Sequence, residues 1–281
     1  MKARTRFRAA TRPVLRDEDA AAIGIGAGRK QHAATEEEDA AFKAQDKEKT
    51  ARLIARIAEL QTMLYAGRRH KVLLILQGMD TSGKDGTVRA LFSQVNPVGI
   101  RVAAFKAPSD FELAHDYLWR VHQQVPVKGE IAIFNRSHYE DVLITVVQGM
   151  IDKPECKRRY AQIRDFERML ADTGTVIVKI CLHISKDEQR TRLQARLQDP
   201  SKQWKFDPND LVQRKQWPAY QSAYARAIRA TDADHAPWYV VPADSKTQRD
   251  LAIAAIVCET LESLKLDWPP VDPELSKLVV V

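Results

Sequence analysis

Between an apolar run and a helix-forming run the chain reads Gly78-Met79-Asp80-Thr81-Ser82-Gly83-Lys84-Asp85-Gly86, a GxxxxGK spacing. Its glycines let the backbone bend until successive N–H groups point into one concavity, and the helix that follows adds the positive end of its dipole. Lys84 contributes a point charge. The natural occupant is a phosphate-type anion, so Gly78, Ser82, Gly83, Lys84, Asp85 and Gly86 are candidate phosphate-binding positions. The common form of this loop follows its lysine with Ser or Thr, whose hydroxyl reaches Mg²⁺, but here that position is Asp85. Metal binding must then be arranged differently. Asp80, inside the loop, offers a hard oxygen ligand, since Mg²⁺ takes one or two carboxylates and fills its shell with water and phosphate.

A second constellation, Ile131-Ala132-Ile133-Phe134-Asn135-Arg136-Ser137-His138-Tyr139-Glu140-Asp141, follows another apolar run. If that run is a parallel strand, its carboxyl end is where open α/β sheets bind ligands. Arg136 would point a rigid, permanently charged fork at phosphates, and Glu140 or Asp141 would bind metal or orient an acceptor. His138 invites an acid–base role, although phosphoryl transfer asks mainly for positioning and charge stabilisation, which favours a structural histidine. A third group, Arg190, Arg192, Arg196, Lys202 and Lys205, crowds one stretch. Arg192 and Arg196 are four residues apart and share a helical face that could straddle a polyanion or simply be solvated.

The elements that must position these groups are legible as alternation. Apolar, β-branched runs at Val72–Gln77, Ile100–Phe105, Ile131–Phe134, Val176–Leu182 and Trp238–Val241 predict five strands of a parallel sheet. Between and after them, Gly86–Val95, Phe111–Val121, Glu155–Ala171, Lys186–Leu197 and Lys246–Leu264 predict helices on both faces, a three-layer α/β/α architecture. Leu53, Ile54, Ile57, Leu60 and Leu64 predict a long amphipathic helix before the first strand. Trp204, Trp217, Tyr220 and Tyr224 could stack on a base, but the last three sit at helical spacing and read as packing. Trp119, beside Arg120, is the weaker candidate for nucleotide contact.

The formal net charge of +7 over 281 residues predicts an anionic partner without naming it. Residues 1–30 hold eight Lys or Arg, among them Arg29 and Lys30, against three acids, so residues 1–38 are expected to be a basic, flexible arm. Residues 39–266 form the expected domain and 267–281 a tail. The longest apolar runs, such as Val72–Leu76, are too short to span a bilayer, and the basic start lacks the apolar stretch of a signal peptide. A cytoplasmic protein is expected. Cys156, Cys181 and Cys258 show no CxxC spacing and read as buried thiols.

Taken in order, Gly78-Met79-Asp80-x-x-Gly83-Lys84-Asp85-Gly86, Phe105-Lys106-Ala107-Pro108, Asn135 to Asp141, Gln203-Trp204-Lys205-Phe206 and His235 to Asp244 resemble the second polyphosphate kinase family over residues 40 to 266. The resemblance implies a thymidylate-kinase-like P-loop fold and Mg²⁺-dependent, reversible phosphoryl transfer between inorganic polyphosphate and nucleoside phosphates, with Mn²⁺ as an alternative ion. Glu140-Asp141 resembles the class that accepts AMP as well as ADP, with adenine against guanine left open. By the same resemblance Asp80, Lys84, Arg136 and Asp141 would be catalytic. Asn135 stands where some relatives have Asp, which favours Asp80 with Asp141 as metal ligands. Arg192, Arg196 and Lys205 would bind phosphates from a mobile lid at about 187–215. Lys106, Trp119, Arg120, Arg136 and Glu140 would meet the nucleotide, with a Phe111–Arg120 helix at its flank, and a homo-oligomer is implied. Two rivals remain: an ATP-dependent nucleoside monophosphate kinase, against which Asp85 argues, and a non-catalytic polyanion or nucleic-acid binder, for which no specific nucleic-acid motif speaks.

Overall fold

Strands rich in Val, Ile and Leu and buried on both faces require cover on both sides, and that is how the chain is built. A computed structural model describes residues 2–22, 24–25, 35–270, 272–278 and 280, so the basic positions Arg29 and Lys30 lie outside the described residues. Strands β1 (Lys71–Gln77), β2 (Ile100–Ala104), β3 (Ile131–Asn135), β4 (Thr175–His183) and β5 (Trp238–Pro242) form one sheet. Their order is β2-β3-β1-β4-β5, and every pairing is parallel. The phosphate loop therefore leaves β1 at the centre of the sheet, between the ends of β3 and β4.

Alternation along each strand sorts the core into two layers. Val72, Leu74, Leu76, Ile133, Val178, Ile180 and Val241 face helices α1 (Glu36–Gly67), α2 (Lys84–Phe92) and α7 (Lys246–Ser263). Leu73, Ile75, Phe134, Ile177, Cys181 and Trp238 face α3 (Lys153–Asp172) and α6 (Trp217–Thr231). Trp217, Tyr220 and Tyr224 are buried in this second layer, which agrees with packing rather than base stacking. All three cysteines are free and buried. Between β4 and α6 lie α4 (Lys186–Gln198), a turn at Gln203–Lys205 and α5 (Pro208–Lys215).

Two expectations need correction. The Phe111–Val121 helix is broken into Asp110–Leu113 and Trp119–His122. At the break Asp116 Oδ1 accepts from the backbone N–H of Leu118 (2.9 Å) and Trp119 (3.1 Å), a local side-chain turn that competes with a continuous helix. The described part of the basic arm is not free in solvent. Ala9 N–H donates to Trp238 O and Val240 N–H donates to Phe7 O, both at 2.9 Å, so the arm lies antiparallel along β5 and covers that sheet edge. Ala3 and Phe7 fill the first core layer. Further on, Trp217 Nε1 donates to Asp17 Oδ1 (3.1 Å), and His183 Nε2 lies 2.7 Å from the Arg16 carbonyl oxygen. The described residues beyond 266 sit on the surface, and among the described residues no helix is long and apolar enough to cross a membrane.

Candidate active site

The loop after β1 has the backbone its sequence demands. Gly78 and Gly83 adopt φ of +151° and +104°, and Thr81 is held left-handed at +65°. At Gly83 a side chain is excluded: an added Cβ would lie 1.9 Å from Nη1 of Arg249, whose buried guanidinium sits under the loop and pairs with Asp250 at 2.7 Å. Lys84 is buried and turned back into the loop, where its Nζ donates to Gly78 O (2.6 Å) and Met79 O (3.2 Å). Burial, then the neighbouring Arg136, lower its pKa.

Arg136 comes from the end of β3 at φ +63°, a left-handed conformation rare for a residue with a side chain. Its Nη2 donates to Asp80 Oδ1 at 2.5 Å, joining the two motifs in one ion pair. Glu140 stands half-buried beside them, and burial raises its pKa although Arg136 and Lys84 pull the other way. The Gln77 amide, in the orientation its neighbours dictate, donates to Glu140 Oε1 and accepts from Ser137 N–H, each at 3.0 Å. Asp85 Oδ1 accepts from the Asn135 amide at 2.5 Å, and Lys205 Nζ stands 3.7 Å from Asp85 Oδ2. Ser82 is fully buried with its hydroxyl oxygen unpartnered, and Gly86 lies exposed on the first turn of α2.

Other expected site residues are placed differently. Arg192 does not reach toward the loop mouth. It is buried, and it donates to the carbonyls of Thr81 (2.9 Å), Ser82 (3.2 Å), Ala243 (2.6 Å) and Asp244 (2.8 Å), with Glu188 as its carboxylate partner. Four carbonyls in a dry site need a multi-donor cation, and the guanidinium fork meets them from behind the loop. Arg196 donates to Lys205 O (3.3 Å) and lies 3.6 Å from Asp210 Oδ2. Asp141 has the charges of Arg120, Arg159 and Glu140 around it rather than that of Asp80. It faces Arg159 at 3.8 Å, with Arg120 also near, and its Oδ2 is buried without a partner. Burial pushes its pKa up to about 6. The carboxyls that feel the Asp80 charge are Glu140 and Asp210. His138 is wholly enclosed against Glu167, away from any mouth.

On the expected acceptor side, Arg120 is buried beneath the Phe105 ring, donates to Lys106 O (3.0 Å) and stands 3.6 Å from Glu112. Trp119 stacks on His115 with centroids 4.0 Å apart, while Lys106 is exposed. Arg120 and Arg159 both act on Asp141, so this group adjoins the phosphate group through Glu140.

Sequence reasoning missed Asp210, Arg249, Gln77 and Gln189, whose Nε2 donates to Asp80 O at 3.1 Å. Asp210, on α5, is buried, and its pKa is pushed up to about 6 by burial and then by Asp80. In the chain it reads only as an acid in a helix's first turn, which is a dipole signal rather than a site signal. Among the described residues no three acids, histidines or cysteines form a ready cation cage. Asp80 with Asp210, crowded enough to raise a pKa, nevertheless fits a hard divalent ion that completes its shell from water and phosphate.

A glycine-rich loop between a central parallel strand and a helix, with a lysine, a forked arginine and carboxylates at its rim, defines a P-loop phosphotransferase. Residues 40–268 match the family model described as polyphosphate kinase 2, so the chain belongs to that family. It is 54% identical over 233 residues to an AMP/ADP-polyphosphate phosphotransferase of Meiothermus ruber, covering 83% of this chain and 87% of that one. It is 44% identical to an ADP-polyphosphate phosphotransferase of Rhodopseudomonas palustris, covering 80% and 82%. The crystal structure of polyphosphate kinase 2 from Arthrobacter aurescens TC1 superposes with a TM-score of 0.81 at 40% identity, over 96% of this chain and 98% of that chain.

Proposed function

We propose that this enzyme moves the terminal phosphoryl group of inorganic polyphosphate onto AMP and ADP, reversibly. The observation that carries the reading is the join of the two motifs: Arg136 bound to Asp80, beside Lys84 and Glu140, at the carboxyl end of a central parallel strand. Loop N–H groups and Lys84 hold the terminal phosphates, the lysine exchanging its bonds to Gly78 O and Met79 O for phosphate oxygens. Arg136 offsets charge on the transferring group, and Lys205 closes from its place beside Asp85. An oxygen of the nucleotide's terminal phosphate attacks the end phosphorus in line. The bond from that phosphorus to its bridging oxygen breaks, and the shortened chain leaves with the electron pair, so no covalent enzyme intermediate is needed. Mg²⁺, or Mn²⁺ with the same taste for hard oxygen, would be held by Asp80 with Asp210, and when bound it supplies further charge neutralisation at the phosphates. The nucleotide meets Arg120, Lys106 and Trp119, with Glu140 and Asp141 facing its phosphate end.

A cytoplasmic location is part of the proposal, as is a homo-oligomer, the latter favoured by the edge at β2, where Val98 and Val102 are half exposed. The deciding assay supplies Mg²⁺ and polyphosphate with AMP, ADP, GMP or GDP in turn, with a chelator control and chromatography of the products. ADP and then ATP from AMP, lost on chelation, is the expected result. ATP formed from ADP alone would remove AMP from the proposal, and AMP phosphorylated only when ATP is supplied would replace it with a nucleoside monophosphate kinase.

A further inference from the structure

Behind the second motif, on the side away from the loop, lies a cluster of charged and polar side chains enclosed in the α3 and α6 layer. Lys179, in the middle of β4, is fully buried, because strand alternation sends it into that layer among apolar residues. Its Nζ donates to Glu167 Oε2 (2.6 Å), Tyr139 OH (2.9 Å) and Thr231 O (2.8 Å). The Tyr139 hydroxyl donates to Glu167 Oε1 at 2.8 Å and lies 2.9 Å from Thr231 Oγ1, which also accepts from Trp238 Nε1 at 2.9 Å. His138 Nε2 stands 3.4 Å from the same Glu167 oxygen. Burial and the Glu167 charge keep the proton on Tyr139, while Glu167 stays ionised because Lys179 and His138 outweigh its burial.

Such a cluster is an unusual way to hold a core together, since well-packed apolar side chains do so at no lower stability. Its position suggests another use. Tyr139 is the buried peg of the turn His138–Val142, which carries Glu140 and Asp141 and follows Arg136 after Ser137. Arg136 is held at φ +63°, a strained conformation that persists only where its surroundings over-determine it. One flank is fixed by β3, and the other is fixed through Tyr139 by side chains from β4, α3 and α6.

We propose that Lys179, Glu167 and Thr231 are positioning residues that clamp the Tyr139 hydroxyl and so hold Arg136 and Glu140 in reacting geometry. They touch no substrate. The clamp makes the reaction depend on a single hydroxyl buried in the α3 and α6 layer. The loop itself is built on β1 and α2, so polyphosphate binding there does not depend on the clamp.

The inference rests on the phosphotransfer reading for its assay, and the wild-type enzyme run in parallel separates the two: an inactive wild type defeats that reading, whereas an active one lets the clamp be judged. Tyr139→Phe keeps the ring and removes the clamped oxygen. The expected result is a fall in kcat of about tenfold or more, the scale of one misplaced positioning group. KM for polyphosphate should change less than about twofold. Thr231→Val, which also removes a partner of that hydroxyl, should give the same pattern in milder form and serves if the first variant folds poorly. Ile253→Val, in the opposite core layer, controls for destabilisation alone: it should lower Tm while leaving kcat at the wild-type value. A Tyr139→Phe enzyme with lowered Tm and wild-type kcat would overturn the clamp, as would a kcat loss in Ile253→Val that matches its loss of Tm.

Discussion

Arg192 separates the geometry of this chain from what its family resemblance implies. If it were a lid arginine grasping phosphate, Arg192→Ala would leave the substrate-free protein as stable as before and raise KM for polyphosphate. The structure gives it another task. The residue is 9% exposed, and its guanidinium donates to four backbone carbonyls, two in the phosphate loop and two after β5, while Nε donates to Glu188 at 2.7 Å. Truncation leaves those carbonyls and the half-buried carboxylate without a donor. Each bond to a charged group is worth about 1.5–3 kcal/mol, but the bonds are not additive, because water enters and the loop relaxes. Breaking a buried charged cluster by removing one partner costs about 3–5 kcal/mol. Taking the lower figure, Tm of the ligand-free protein should fall by roughly 6–12 °C, at about 2–4 °C per kcal/mol for a domain near this size. Arg192→Lys should recover little, because one ammonium with three donors cannot serve carbonyls on two separate loops. Thermal unfolding without ligand, followed by initial rates over a polyphosphate series, tests this. An unchanged Tm with a raised KM in Arg192→Ala, largely restored in Arg192→Lys, would refute the clamp and return Arg192 to the phosphates.

Two further expectations follow from the site. Lys84→Ala should abolish transfer, with residual activity below about one part in a hundred, while circular dichroism shows an intact fold, because the lysine's own bonds are confined to the loop. Near-normal activity in that variant would exclude Lys84 from the reaction. At Asp141 the short list of partners conflicts: Arg159 at 3.8 Å suggests a stabilising pair, yet burial raises the carboxyl's pKa to about 6. The long distance and the unpartnered Oδ2 favour the second reading. A raised carboxyl pKa means that the folded state holds its proton where the unfolded chain does not, so the native state gains stability as pH falls from about 6 toward 4 and pays for the charge above that window. Asp141→Asn should therefore be the more thermostable protein at pH 7.5, and the difference should vanish below about pH 4. A less stable variant at pH 7.5 would show that the pair with Arg159 prevails.

What was legible in the chain and what was not divides along a physical line. The central strands β1 and β4 are long apolar runs buried on both faces, so Val72 to Gln77 and Val176 to Leu182 are legible nearly to the residue. The phosphate loop was legible because its chemistry is local: glycine, lysine and the helix start are contiguous, and the backbone alone shapes the cradle. The break in the helix is not legible because Asp116 is at once an ordinary helix-surface residue and a good turn former, and only the tertiary path decides between them. Charge alone does not reveal how the arm docks. Ala3 and Phe7, four apart among the arginines, are the apolar pair that docks it, but two residues are too few to outweigh eight cations in a composition argument.

Arg192 shows why direction is harder to read than location. The spacing of Arg192 and Arg196 places both on one face of α4, yet within that face Arg192 is buried among carbonyls and Arg196 turns to Asp210. What sets the difference is the packing of α4 itself. Gln189 and Leu193, buried with Arg192, press the helix against the loop so closely that the guanidinium has nowhere to go but behind it. A basic stripe beside a phosphate loop thus makes two different sets of bonds within one helical turn, Arg192 to the loop's own carbonyls and Arg196 to Lys205 O and Asp210. Only the residue with no room to reach solvent is committed to the first. The same logic applies to Arg249 under Gly83: it stands where a side chain on the glycine would have to be, so the smallness of one residue and the burial of the other are a single requirement.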